Sequence, residues 1–223
     1  MNSFYLIPTP IGNLKDITLR VLEVLQSLDF LVCEDTRTAG RLLKHFDIRI
    51  DNLISFNDHN KKNRTPRVLA DVNSGLSGGL ISESGSPCIS DPGFYLVRAL
   101  LESDITVIPL PGPAALTTGI MASGLPTDSF VFTGFLSKKK GKRVRELEDV
   151  MSMKRTAIIY ESPYRIDSTL EIIAGIDPER QTVIAREMTK IHEEFIRGTA
   201  ENVLENSWTR KGEIVLMIAG DRK

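Results

Sequence analysis

Two stretches of this chain combine the residue types that bind small ligands. Residues 82–93 contain serines, glycines and prolines together with Glu83 and Asp91, and they directly follow the apolar pair Leu80 and Ile81. Serine hydroxyls and free main-chain N–H groups bind polar ligand atoms, while glycine and proline shape the backbone around them. The pattern predicts a strand, a loop and a helix, and open α/β sheets bind ligands at such strand ends. The alternative is a plain surface connection, although these usually have only about two to six residues.

The second stretch follows the predicted strand 106–110, where Pro111, Gly112 and Pro113 precede a helix that begins near Ala114. Pro113 suits the first turn of a helix, and Gly112 allows the backbone to approach a ligand closely. Neither loop has the lysine of a P-loop or a G-x-G-x-x-G turn, which excludes an obvious nucleoside triphosphate or dinucleotide site. The two loops together predict a shared cleft for another kind of ligand.

Strand and helix patterns alternate five times in the first half of the chain, which predicts a parallel five-stranded sheet covered on both faces. In the second half the strand patterns outnumber the helical ones, so we expect a mixed sheet there. We therefore predict an α/β fold with an N-terminal domain over residues 1–111 and a C-terminal domain over residues 112–223. The Gly-Leu-Pro-Thr-Asp sequence at residues 124–128 is also typical of a joint between domains.

The composition is that of a soluble globular protein with a sizeable core, since 41% of the 223 residues are hydrophobic and 26% are charged. The net charge of −1 gives no global attraction to nucleic acid or membrane, so such binding needs a local patch. Cys33 and Cys88 are expected to be buried thiols in a reducing compartment. We see no signal peptide, no membrane span and no metal-ligand spacing, and we expect a cytoplasmic, metal-free protein.

Several longer motifs resemble one known family. The chain reads Ile-Pro-Thr-Pro-Ile-Gly-Asn-Leu at 7–14, Cys-Glu-Asp-Thr-Arg at 33–37 and Tyr-Glu-Ser-Pro at 160–163. These motifs, with residues 109–115, 124–128 and 185–193, resemble the ribosomal RNA small subunit methyltransferase I family of the tetrapyrrole methylase (class III) group. The central loop departs from the family's usual Ser-Asp-Ala-Gly-Thr-Pro, because it reads Ser-Glu-Ser-Gly-Ser-Pro at 82–87. Each change is conservative in charge or size.

The resemblance implies two α/β domains with S-adenosylmethionine (SAM) in the cleft between them, and a homodimer. It implies that SAM contacts Pro10, Ser82, Glu83, Ser84, Gly85, Ile89, Ser90, Gly112 and Ala115 on one side and Tyr160, Glu161, Ala185, Gly212, Glu213 and Ile214 on the other. Methyl transfer from a sulfonium to oxygen is an in-line displacement, so the protein contributes mainly positioning and exclusion of water.

The family methylates a cytidine 2′-hydroxyl, which is a poor nucleophile until it loses its proton. A nearby acceptor would help, and the candidates are Glu34, Asp35, Asp91, Glu161, Glu187, His59 and His192. We rank Glu161 and Asp35 first because both follow strands. For each candidate the alternative stays open that the carboxylate only caps a helix or pairs with a nearby arginine.

A basic run follows the first strand of the second half. Its cationic residues, which we predict to contact RNA phosphates, are Lys138, Lys139, Lys140, Lys142, Arg143 and Arg145. A solvated helix face is the alternative. In an RNA methylase of net charge −1 this densest patch is the favoured phosphate site. A weaker patch comprises Lys61, Lys62, Arg64 and Arg67.

The sequence thus predicts SAM-dependent 2′-O-methylation of a cytidine ribose in small-subunit (16S) ribosomal RNA, with the small ribosomal subunit as partner. Two alternatives remain at this point. One is methylation of a corrin or porphyrin ring, although those enzymes begin with a Gly-rich turn where this chain has Thr9 to Asn13. The other is a catalytically silent RNA-binding module, which the changed central loop favours.

Overall fold

The computed structural model describes residues 3–221 and shows two compact units, which meet at the bond between Ala114 and Ala115. The sequence places the domain boundary after residue 111. The first helix of the second unit, α5 (Ala115–Ser123), packs on the sheet of that unit, with the Cβ position of Gly119 3.5 Å from Met217 and Val215. Residues 124–128 therefore connect two elements of one unit, and their prediction as a joint between domains is wrong.

The first unit is a parallel sheet of five strands in the order β3-β2-β4-β1-β5. Its strands are β1 (Ser3–Ile7), β2 (Phe30–Cys33), β3 (Asn52–Ser55), β4 (Gly78–Ile81) and β5 (Thr106–Pro109). Its helices are α1 (Leu19–Gln26), α2 (Thr36–His45), α3 (Lys61–Asn73) and α4 (Phe94–Glu102). The predicted five-stranded parallel sheet is confirmed.

Helices cover both faces of this sheet. Successive residues of β2 point to opposite sides, so Leu31 packs in a core with α1 and α2, whereas Phe30 and Val32 pack in a core with α3 and α4. Burial on both faces explains why the strands read as continuous apolar runs. Because all five strands are parallel, their carboxyl ends lie on one edge of the sheet, where the ligand-binding loops were predicted.

Helix α3 begins at Lys61, about one turn before Thr65 and Pro66. The side chains of Asn57 and Asn60 cap each other's backbone N–H groups at 2.8–3.2 Å and start the helix there. Pro66 lies inside the helix, and the Thr65 hydroxyl donates to the Lys61 carbonyl at 2.8 Å.

The second unit is a mixed sheet, as predicted, and the order of its strands is β6-β7-β10-β8-β9. Its strands are β6 (Phe130–Phe135), β7 (Thr156–Glu161), β8 (Gln181–Arg186), β9 (Glu194–Thr199) and β10 (Ile214–Ile218). Besides α5, its helices are α6 (Lys140–Met151), α7 (Ile166–Ile176) and α8 (Ala200–Glu205). No helix within residues 3–221 has the length and apolar character needed to cross a lipid bilayer.

One edge of this mixed sheet collects the ends of three strands. Ile214, the first residue of β10, pairs with Glu161 on one side and with Arg186 on the other, and both of these are the last residues of their strands. Phe135, the last residue of β6, pairs with Tyr160. We call this the carboxyl edge of the second unit, since β6, β7 and β8 all end there.

Candidate active site

Loops from neighbouring strands of the first unit are joined by main-chain hydrogen bonds. Thr9, after β1, exchanges two backbone hydrogen bonds with Gly85, after β4, at 2.8 and 3.0 Å. The Thr9 hydroxyl donates to the Ser82 carbonyl at 3.2 Å, and the Ser82 hydroxyl donates to the Gly85 carbonyl at 2.6 Å. Ser82 is buried and holds the loop together, so its hydroxyl is already used in the protein.

The central loop carries unusual backbone conformations. Cys88 and Ser90 have backbone φ angles of 69° and 62°, which residues other than glycine rarely adopt. A Cβ atom on Gly93, at φ 146°, would lie 2.7 Å from the Cys88 sulfur. Such strain persists where surrounding structure enforces it, most often at functional sites. The predicted cofactor residues Glu83, Ser84, Ile89 and Ser90 are exposed on this loop.

The loop after β5 packs against the other two. The Ser86 hydroxyl donates to the Pro113 carbonyl at 3.1 Å, and a Cβ atom on Gly112 would lie only 2.6 Å from the Pro8 side chain. Glycine at position 112 is therefore required by the close approach of two loops. Its main chain remains exposed, so a ligand can reach it.

A cavity of about 190 Å³ opens where the loops after β1, β2 and β4 meet. Its lining includes apolar residues, among them Pro10, Leu14, Ile81 and Leu42. Three carboxylates, Glu34, Asp35 and Glu83, also line it, with Arg41 as the one cationic residue among the described residues of its lining. The arrangement offers an apolar surface beside concentrated negative charge.

Asp35 is held by a neighbouring arginine. It caps α2 by accepting from the Arg37 backbone N–H at 2.7 Å, and the Arg37 guanidinium pairs with it at 2.6 Å. These hydrogen bonds lower the pKa of Asp35 to about 2. A carboxylate of such low pKa is a weak proton acceptor, so the alternative interpretation of Asp35 as a helix cap describes its contacts.

Glu161 is buried and all its contacts are structural. Its carboxylate accepts from the Ser162 backbone N–H at 2.7 Å and from the Thr169 hydroxyl at 2.8 Å, and it pairs with Arg165 at 2.6 Å. Its side chain has 0% relative exposure. Glu161 therefore orders the turn after β7, and its carboxylate does not face solvent.

The pKa values of two other acidic groups, Asp91 and Glu34, are raised. Burial, followed by the charges of Glu34 and Glu83, raises the pKa of Asp91 to about 6. Burial also raises the pKa of Glu34, with further contributions from Glu83, Asp58 and Asp35. These like charges make Glu34 and Asp91 stronger proton acceptors than Asp35. Sequence reasoning included both residues but had no signal that ranked them first.

The predicted cofactor residues of the second unit lie at or near its carboxyl edge. The Tyr160 hydroxyl accepts from the Leu116 backbone N–H at 3.2 Å, next to Ala115 at the start of α5. Gly212 has a φ of 84°, and a side chain there would overlap the Glu187 carboxylate. Glu213 pairs with Lys190 at 3.0 Å. Ala185 and Ile214 are buried within β8 and β10.

The basic run begins just before α6 and continues into its first turns, and its side chains divide between solvent and the interior. Lys138, Lys139, Lys140, Lys142 and Arg145 are exposed, as phosphate contacts require. Arg143 is only 5% exposed and donates to the Ser168 hydroxyl of α7 at 2.9 Å. The helix turns this residue toward the core side that Leu147 and Val150 also occupy. The prediction that Arg143 contacts RNA is therefore corrected.

Neither cysteine provides a reactive thiolate at neutral pH. Cys33 is buried, and burial raises the pKa of its thiol to about 11. Cys88 is only partly buried, which differs from the prediction of two buried thiols. Burial raises the pKa of Cys88 as well, so both thiols stay protonated at neutral pH.

Comparison with known proteins places the chain in a family. The family model described as Tetrapyrrole (Corrin/Porphyrin) Methylases matches residues 3–204. The chain is 46% identical to "Ribosomal RNA small subunit methyltransferase I" of Synechocystis sp. over 99% of its own length and 80% of that protein's. It is 44% identical to proteins of the same name from Halalkalibacterium halodurans, with 98% and 76% covered, and Vibrio cholerae, with 98% and 77% covered.

Solved structures share the fold at much lower identity. Uroporphyrin-III-C-methyltransferase from Thermus thermophilus matches with a TM-score of 0.64 and 16% identity, covering 98% of this chain and 94% of that one. Diphthine synthase matches with a TM-score of 0.73 and 13% identity, covering 97% and 89%. The chain therefore belongs to the tetrapyrrole methylase family and, within it, to the ribosomal RNA small subunit methyltransferase I proteins.

Proposed function

We propose that this protein is a SAM-dependent methyltransferase that methylates the 2′-hydroxyl of a cytidine in small-subunit (16S) ribosomal RNA. The observation that carries the proposal is the identity of 44–46% over almost the whole chain with proteins named for this class of reaction. The strained, interlocked loops of the first unit support it, because they form a ligand site of the kind that methyl transfer needs.

The residues of the first unit fit a ligand with the chemistry of SAM. Apolar walls at Pro10 and Ile81 suit an adenine ring, and the carboxylates of Glu34 and Glu83 suit a ligand with sulfonium and ammonium charges. The exposed main chain at Ser84 and Gly112 offers carbonyl oxygens and N–H groups. When bound, SAM supplies an electrophilic methyl group.

The cavity of about 190 Å³ is smaller than most ligand pockets, which measure roughly 300–1,000 Å³. We therefore propose that the cavity holds only part of the bound cofactor and substrate, and that the rest of them lies on the exposed central loop. The cofactor contacts of Tyr160 and of the Gly212 to Ile214 segment remain part of the proposal as the family resemblance implies them.

Glu34 is the proton acceptor that we propose for the ribose hydroxyl. It lines the cavity and is exposed to a substrate, and burial together with the charges of Glu83, Asp58 and Asp35 raises its pKa. Burial and the charges of Glu34 and Glu83 likewise raise the pKa of Asp91 to about 6. Asp35 and Glu161 are retained as positioning residues, because arginines hold both of them.

The RNA contacts belong to the exposed lysines at the start of α6. Lys138, Lys139, Lys140 and Lys142 provide the local positive charge that a chain of net charge −1 needs for binding phosphate. We propose that the substrate is the assembled small subunit and that two copies of the chain associate, so that two lysine runs act together.

The decisive experiment is mass spectrometry of small-subunit RNA. Purified protein, methyl-labelled SAM and unmodified small subunits should yield one labelled 2′-O-methylcytidine. RNA from a strain lacking the protein should lack the same nucleoside. A strain that retains every 2′-O-methylcytidine would show that the RNA assignment is wrong.

A further inference from the structure

Aromatic side chains are exposed at the carboxyl edge of the second unit. Tyr164, just after β7, is 96% exposed, and Phe135, at the end of β6, is 58% exposed. A single exposed apolar residue is ordinary on a protein surface. Here the two residues follow neighbouring strands that end at the same edge, since Phe135 pairs with Tyr160 in the sheet.

The turn that carries Tyr164 is held by several hydrogen bonds. The Ser162 hydroxyl accepts from the Tyr164 backbone N–H at 3.3 Å, and the Ser162 carbonyl accepts from Arg165 and Ile166 at 2.9 and 3.0 Å. The buried Glu161 carboxylate pairs with Arg165 below the turn. The backbone of Tyr164 is thus fixed while its ring is in solvent. Such pre-organisation lowers the entropic cost of binding.

The same arginine links this turn to the lysine run. Arg165 donates to the Leu136 carbonyl at 3.2 Å, and Leu136 directly follows Phe135. Three exposed lysines, Lys138 to Lys140, come next in the chain. Tyr164, Phe135 and these lysines therefore belong to one connected surface, which we call the aromatic–lysine edge.

We propose that the aromatic–lysine edge binds an unpaired base of the RNA, with Tyr164 as the stacking residue and Phe135 beside it. Lys138, Lys139 and Lys140 then contact the flanking phosphates. This inference rests on the proposed function and identifies how its substrate is recognised. Aromatic rings stack on bases only when the bases have left a duplex, so the partner is a single-stranded or bulged segment.

The charge of the edge favours RNA over a second copy of the chain. In a two-fold contact both copies contribute the same patch, so the contact would bring the Lys138 to Lys140 clusters of the two copies into one interface. Such like-charge contacts are unfavourable, whereas RNA phosphates neutralise them. Charge complementarity thus selects a polyanion as the occupant.

A double-mutant cycle between protein and RNA tests the stacking contact. The probe is a fluorescent RNA duplex with one bulged cytidine, compared with the same duplex carrying an abasic ribose at the bulge. Stacking contributes about 1–3 kcal/mol per base, so Tyr164→Ala should weaken binding of the cytidine bulge by roughly 5- to 150-fold. The abasic duplex should bind wild type and Tyr164→Ala equally.

Three further variants make the result specific. Tyr164→Phe should retain the wild-type affinity, because the stacking ring remains. Phe130→Ala is the matched control, since Phe130 is 41% exposed at the opposite end of β6; it should leave RNA binding unchanged. Tyr164→Ala should keep the wild-type salt dependence, whereas Ala at Lys138, Lys139 and Lys140 should flatten it.

The activity assay separates this inference from the proposed function. On small subunits, Tyr164→Ala should raise KM with kcat and SAM affinity unchanged. If wild type binds the bulged RNA in the predicted way but transfers no methyl group, the proposed function is wrong and the stacking contact stands. Equal affinity of wild type and Tyr164→Ala for the cytidine bulge overturns the inference. Loss of a dimer in Tyr164→Ala with unchanged RNA affinity also overturns it, because the edge is then a self-contact.

Discussion

The pKa values of two aspartates in this protein are shifted in opposite directions because their neighbours differ. Asp35 lies beside Arg37, which lowers its pKa to about 2. Asp91 is partly buried with Glu34 and Glu83 nearby, which raises its pKa to about 6. Both follow strands and both adjoin loops, so only the surrounding charges distinguish a helix cap from a proton acceptor.

The raised pKa of Asp91 predicts a pH-dependent effect on stability. A carboxyl whose folded pKa exceeds the unfolded value of 3.8 contributes stability at low pH and loses it as the pH rises toward about 6. Asp91→Asn should therefore be neutral near pH 4 and stabilising at pH 8. Solvent screening of this partly exposed group reduces the gain to about 1 kcal/mol, or a Tm increase of roughly 2–4 °C.

Thermal unfolding of wild type and Asp91→Asn at both pH values measures this effect. Asp35→Asn should change the thermal stability in the opposite direction. The pKa of Asp35 is lowered, so its negative charge stabilises the fold at pH values above the ordinary pKa. The Tm of this variant should fall at neutral pH and approach that of wild type in strong acid. Equal shifts for Asp91→Asn at pH 4 and pH 8 would contradict the assigned electrostatics.

Gly112 predicts a second effect at the level of one residue. In Gly112→Val the new Cβ atom would lie 2.6 Å from Pro8, which forces the loops after β1 and β5 apart. Such overpacking costs about 1–3 kcal/mol, and we expect a lower SAM affinity with the fold retained. Calorimetric titration with SAM measures the affinity, and circular dichroism measures the retention of the fold.

Gly40→Ala is the control, since nothing lies within 4 Å of its Cβ position and alanine favours a helix. SAM affinity equal to wild type in Gly112→Val would show that this loop does not contact the cofactor.

At the scale of elements, the direction of each strand decides where function collects. All five strands of the first unit are parallel, so their loops share one edge, and hydrogen bonds between Thr9 and Gly85 join two of them. In the second unit, β6, β7 and β8 end together because β10 runs antiparallel to β7 and β8. Helix α6 then directs its lysines outward and Arg143 inward.

The two faces of α6 predict different effects of substitution. Ala at Lys138, Lys139, Lys140 and Lys142 should weaken RNA binding and reduce the slope of log K against log salt by about 0.7–0.9 per lost phosphate contact. SAM affinity should be unchanged. Arg143→Met is the matched control, since its side chain contacts Ser168 in the interior; it should alter thermal stability and leave the salt slope as in wild type. Wild-type salt dependence in the four-lysine variant would show that the run is only a solvated face.

At the scale of the whole molecule, charge is distributed by function. The chain has 28 basic and 29 acidic residues, so neither SAM nor RNA is attracted by net charge. The acidic cluster of Glu34, Glu83 and Asp91 suits a cationic cofactor, whereas the lysine run suits phosphate. Separating the two signs of charge over one chain suits both proposed ligands, a cationic cofactor and an RNA backbone.

We predict that SAM binds to this protein without a metal ion. Within the part of the chain that the structure describes, no group of three or more His, Cys, Asp or Glu residues is arranged to hold one. Calorimetric titration should give the same SAM affinity with and without a chelator. Binding that disappears with the chelator and returns with Mg²⁺ would contradict the prediction.

The sequence by itself determined the alternation of strands and helices, the two sheets and the family. These features are encoded locally, in apolar runs of strand length, in glycine and proline positions after them, and in motifs such as that at residues 33–37. It also predicted that loops at strand ends would carry the site, because parallel strands place their carboxyl ends together.

Only the tertiary structure decided what the individual side chains do. Glu161 and Arg143 looked available in the sequence, but Thr169 and Ser168, brought close by α7, hold them in the interior. The pKa of Asp91 depends on Glu34, which precedes it by more than fifty residues in the chain. Tyr164 follows a buried strand and is nevertheless fully exposed. The neighbours that decide the roles of Arg143 and Asp91 are distant in sequence. The contacts of Glu161 are closer in the chain, but they form only because the turn after β7 and the start of α7 bring Arg165 and Thr169 to its carboxylate.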